Sequence, residues 1–64
     1  MKFEVYKAYG KTYDRTLNSW AEVMEFVVRK AEKMNFGLYR QWELDGNTFF
    51  DCGPTVYVVK EIAA

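Results

Sequence analysis

The chain has no histidine, one cysteine and one proline among its 64 residues, and its net charge is zero. Each shortage excludes something. Without His, the side chain that titrates near neutral pH and most often binds metals is missing. A structural zinc site takes four Cys or His ligands, so Cys52 alone predicts no metal and no cofactor. Cys52 also has no partner for an internal disulfide, the staple that small secreted domains usually need. Nine Lys and Arg balance nine Asp and Glu. A domain built to hold nucleic acid or an anionic membrane carries a basic excess that neutralises phosphates. Glu4 and Lys7 break the amino-terminal apolar residues, which removes the core of a signal peptide. No apolar run approaches the ~20 residues of a membrane span. These absences predict a cytoplasmic chain, folded as a single domain over residues 1–64, with nucleic acid and membrane both disfavoured as partners.

What the chain does have is rings. Five Tyr, five Phe and two Trp make 19% of the residues aromatic. A domain of about 60 residues buries only about 60% of the surface its unfolded chain exposes. Part of this aromatic area is therefore expected outside the core, where grouped apolar surface marks contact sites. A core this small gives marginal stability, so self-association is an expected supplement.

Local patterns predict an α+β fold with the order β-α-β-β-β. Phe3 and Val5 alternate with Glu4 and Tyr6, as in a strand with one buried face. Gly10 ends it, and Lys11 to Asn18 reads as a connecting loop. Ser19 followed by Glu22 is a capping box. Trp20, Val23, Met24, Val27, Ala31 and Met34 then form one helical stripe that stops near Asn35, with Gly37 available for a left-handed end. Asp45-Gly46 predicts a tight hairpin turn between Leu38–Leu44 and Asn47–Cys52. Its register sets Leu44 opposite Asn47, Trp42 opposite Phe49 and Arg40 opposite Asp51, the last as an ion pair. Gly53-Pro54 marks another reversal before the β-branched strand Thr55–Ile62.

The expected architecture is a mainly antiparallel four-stranded sheet with one helix packed on one face. One helix cannot cover both faces of a sheet. Carrying the register through turns Leu38, Trp42, Leu44, Phe49, Val56, Val58 and Ile62 towards the helix, with Phe3 and Val5. Tyr6, Tyr39, Phe50, Tyr57 and Val59 are then expected on the outer face. Phe26 falls on the polar side of the helix and is a further candidate contact. The predicted partner-binding set is therefore Tyr6, Tyr39, Phe50, Tyr57 and Phe26.

Other motifs carry less. Gly10-Lys11-Thr12 matches the end of a phosphate-binding loop, but Val5 occupies the place of the upstream glycine and no helix starts at Thr12. Lys7, Tyr9, Lys11, Tyr13 and Arg15 alternate cation and ring, the arrangement that lets bases stack while cations meet phosphates. This segment is the alternative site, for single-stranded nucleic acid, weighed against zero net charge. Cys52 has no His and no cation beside it to lower its pKa and reads as a small apolar residue. Asp45 and Asp51 flank a hairpin and do not converge, so no paired-carboxylate site is expected. The chain is not expected to be an enzyme.

In size, element order and lack of catalytic groups, the chain is similar to many small accessory proteins of phages and other mobile elements. That likeness implies an inhibitor or adaptor that occupies a site on a larger protein. Tyr and Trp dominate well-packed protein interfaces, which makes a protein partner, or a second copy of the chain, the leading expectation.

Overall fold

Ser19 fixes the start of the helix α1 (Trp20–Asn35): its Oγ accepts the Glu22 N–H at 3.2 Å. The Glu22 carboxylate reaches back past the cap to the Asn18 N–H at 3.0 Å, so one orphan donor of the helix and the N–H just before its cap are both satisfied by side chains. At the other end Phe36 takes the left-handed conformation, and Gly37 follows with φ 82°. Both N–H groups turn to the Ala31 carbonyl. The left-handed end expected at Gly37 thus begins one residue earlier.

The computed structural model describes residues 1–63 and contains five strands. These are β1 (Lys2–Lys7), β2 (Thr12–Leu17), β3 (Arg40–Leu44), β4 (Asn47–Asp51) and β5 (Val56–Ile62). They form one antiparallel sheet in the order β2-β1-β5-β4-β3. The fold is α+β as expected, but the sheet has five strands where four were predicted. The extra strand is β2, in the segment read as a loop. Its alternation is interrupted: Val5 lies opposite Arg15 and Tyr6 opposite Tyr13, which leaves Asp14 unpaired in a bulge. Polar residues on both sides of an edge strand erase the remaining period-two signal.

The β3–β4 register matches the prediction throughout, from Leu44 opposite Asn47 to Arg40 opposite Asp51. Asp45 and Gly46 both have positive φ, 52° and 79°, as a two-residue hairpin turn matched to sheet twist requires. The predicted Arg40–Asp51 ion pair gives way to a local bond, because the Asp51 carboxylate accepts the Gly53 N–H at 2.9 Å.

The faces of the last three strands are reversed from the expectation. Residues opposed across an antiparallel ladder share a face. Val5 points to α1 and stands opposite Val59, so Val59 and Tyr57 point there too. Tyr57 stands opposite Phe50 and carries the same face onto β4. The core accordingly joins Phe3, Val5, Tyr57, Val59, Phe50 and Cys52 to Val23, Phe26, Val27 and Ala31 of α1. Trp42, Leu44, Phe49, Val58 and Ile62, expected inside, share the opposite face. Val56 and Val58 are nonetheless buried, because the β1–β2 turn leans on that side. Tyr9 donates its N–H to the Val56 carbonyl at 3.1 Å, and a Cβ placed on Gly10 would lie 3.5 Å from Val58 Cγ2. Among the described residues, no helix is long and apolar enough to cross a membrane.

Candidate functional site

The structure does not bring the five predicted contact residues together at the surface. Phe50 is 0% and Tyr57 4% exposed, because both face α1. Tyr39 is half-buried on the same side, 6.1 Å from the Phe50 ring. Phe26 is also buried, and β2 is the reason. The edge strand extends the sheet under the helix flank that the four-strand reading left open. Phe26 meets Tyr57 edge-on at 5.2 Å, and the Arg15 guanidinium lies 4.6 Å above its ring. Of the five, Tyr6 alone stands on the outer face, half-buried.

Other rings occupy that outer face. Trp42 and Phe49 stack across β3 and β4 at 5.5 Å with planes 13° apart. Tyr6 and Tyr13 meet edge-on at 5.7 Å across β1 and β2. The bulge at Asp14 makes this second pair, since it brings Tyr13 opposite Tyr6. Lys60 Nζ lies 4.8 Å over the Tyr6 ring, and the Tyr6 hydroxyl donates to Glu4 Oε1 at 3.2 Å. Desolvation, this bond and the Glu4 charge all push the Tyr6 phenol above its ordinary pKa. The Tyr13 hydroxyl shares a 2.7 Å hydrogen bond with Thr16 Oγ1. Leu44 is exposed at the β3 end and Ile62 half-buried at the β5 end. Sequence reasoning placed Trp42, Leu44 and Phe49 in the core. Their mutual register was readable, and the missing datum was the Val5–Val59 pairing that decides which side is which.

The alternative segment does not form one surface. Lys7 ends β1, Tyr9 and Lys11 sit in the exposed turn, and Tyr13 lies on the outer face. Arg15 lies on the helix side, 2.7 Å from the Asp14 carboxylate and over Phe26. Its charge is engaged within the fold.

Two further features lie near the helix. A groove of about 440 Å³ runs between β2 and α1, lined by Arg15, Phe26, Lys30 and Lys33 among others. Its cations are partly committed: Lys30 Nζ approaches Phe26 at 5.5 Å, and Arg29 pairs with Glu25 at 3.1 Å. Phe36, just past the helix, is 96% exposed and has φ 56°, a conformation costly for a residue with a Cβ. Cys52 is closed to solvent, its Sγ 4.0 Å from the Val27 carbonyl. Burial first, then the Asp51 charge, pushes its thiol above the ordinary value.

Compared with known protein families, curated proteins and solved structures, the chain matches none.

Proposed function

We propose that the chain is a small non-catalytic protein-binding module, an accessory protein of inhibitor or adaptor type such as phages and other mobile elements encode. The observation that carries this reading is the stacked Trp42–Phe49 pair on a sheet face without a helix over it. With Leu44, Ile62, Tyr6 and Tyr13 it makes an amphipathic, ring-rich surface. Rings of this kind offer large contact area at low entropy cost and anchor protein interfaces. Val58 stands between Tyr6 and Phe49 in the register and is itself covered, so the two aromatic pairs lie on either side of it.

Single-stranded nucleic acid is the second reading, favoured by Lys60 over Tyr6 beside Tyr13. Glu4 and Asp51, on the same face by register, weigh against it.

The test compares the wild-type chain with a Tyr13→Ser/Phe49→Ser variant, both shown to be folded by circular dichroism, in affinity capture from a native extract. The reading expects a stoichiometric protein that the wild type retains and the variant loses. Identical capture by both chains would remove it. Salt-sensitive binding of single-stranded DNA or RNA, lost in the same variant, would replace it with the second reading.

A further inference from the structure

The two edges of the sheet differ in how they are protected. At one edge, β2 carries the Asp14 bulge, a device that twists an edge away from pairing. At the other, β3 runs in unbroken register against β4, and all five of its residues are exposed. It has neither proline nor bulge. Leu38, Trp42 and Leu44 add exposed apolar surface along it.

The hairpin turn fixes which backbone groups this edge offers. Leu44 and Asn47 flank the two-residue turn and so form a hydrogen-bonded pair. Alternation then directs the N–H and C=O of Leu44, Trp42 and Arg40 to β4, and those of Glu43 and Gln41 to the open edge.

We propose that β3 pairs antiparallel with β3 of a second copy, with the two-fold axis at Gln41, to give one continuous ten-stranded sheet. Side chains select this register. With the axis at Gln41, Arg40 faces Trp42 of the second copy, Leu38 faces its Leu44, and Tyr39 faces its Glu43. Each relation occurs twice by symmetry. Every charged side chain thereby meets a ring or a hydroxyl, and every aliphatic one meets another. Moving the axis to Arg40 sets two guanidinium groups against each other, and moving it to Glu43 does the same with two carboxylates. An axis at Trp42 puts Arg40 against Leu44. Arg40 is available for this role because Asp51, its cross-strand neighbour, bonds to Gly53 instead. The pairing would also join the outer faces of both copies into one surface.

This inference rests on the binding-module reading only for its purpose, and its test touches different residues. The expected result has three parts. The wild-type chain sediments as a concentration-dependent dimer. Arg40→Ala, at an exposed site, weakens that dimer roughly tenfold by removing two cation–ring contacts. Gln41→Cys cross-links under mild oxidation, because an axial hydrogen-bonded pair has its Cα atoms about 5.5 Å apart, within the roughly 4.4–6.8 Å that a disulfide spans. Glu43→Cys, two residues off the axis in each copy, stays unlinked, and buried Cys52 does not interfere. A wild-type monomer at millimolar concentration would overturn the proposal, as would a dimer in which Glu43→Cys links as readily as Gln41→Cys or Arg40→Ala changes nothing. A monomer that still captures a protein through Tyr13 and Phe49 would remove this inference alone.

Discussion

Trp42 and Phe49 stack 5.5 Å apart on the uncovered side of the sheet, while Phe50, the next residue in the chain, is wholly enclosed between the sheet and α1. Two adjacent phenylalanines therefore have opposite energetic roles. Phe50→Ala should cost about 3–5 kcal/mol, the range for emptying a core ring site, which rivals the whole stability of a small domain. Phe49→Ala should cost about 1 kcal/mol, the value of one aromatic pair. Urea denaturation followed by circular dichroism measures both. Equal losses would mean that the faces are not as described.

The difference between these two residues marks the boundary of what the sequence makes legible. The Ser19–Glu22 cap, the Asp45-Gly46 turn and the β3–β4 register are local, each set by a few neighbouring residues, and all can be read directly. Which side of β4 faces the helix is not local. Val56, Tyr57, Val58 and Val59 are apolar on both sides, so alternation is silent within β5. The choice is made by Val59 pairing with Val5, more than fifty positions away in the chain. The same holds for β2. Its bulge breaks the alternation, and its contribution shows only through Phe26, which looks out of phase until a strand lies beneath it.

Arg15 and Phe26 test that account of β2. Arg15→Ala should destabilise by about 0.5–1 kcal/mol, as expected for a partly exposed cation over a ring. Phe26→Ala should destabilise by about 3–5 kcal/mol as a buried ring. A surface residue on the polar side of a helix would lose only a few tenths. Thermal denaturation of the two variants separates the readings: a near-neutral Phe26→Ala would place that ring in solvent and β2 elsewhere.

Left-handed backbone produces opposite effects at two positions. Phe36 has φ 56° and nearly full exposure, so its ring adds little to the fold while its Cβ is strained. Phe36→Gly should stabilise by roughly 1 kcal/mol. Gly53 has φ 93°, and a Cβ there would lie 3.0 Å from Asn35 Cγ. Asn35 cannot easily give way, because its Nδ2 is bonded to the Leu38 carbonyl at 2.9 Å. Gly53→Ala should therefore destabilise by about 1–3 kcal/mol. Melting temperatures of the pair should move in opposite directions, and a shift of the same sign would contradict the backbone assigned to one of them.

Cys52 and Tyr57 predict how stability responds to alkali. Both are neutral acids that burial holds above their ordinary values of 9.0 and 10.0, with the Asp51 charge adding to the first and the Asp14 charge to the second. The folded chain then keeps protons that the unfolded chain has released, and stability falls as pH rises wherever the unfolded state binds fewer protons. The contribution is complete below the unfolded thiol value and is lost as pH climbs from there through the folded values. The urea midpoint should therefore fall as pH rises above about 9. Cys52→Ala, which removes the group that titrates first, should delay the onset towards the tyrosine range. A midpoint that rises with pH, or an unchanged onset in Cys52→Ala, would show that the thiol is not enclosed in the folded chain.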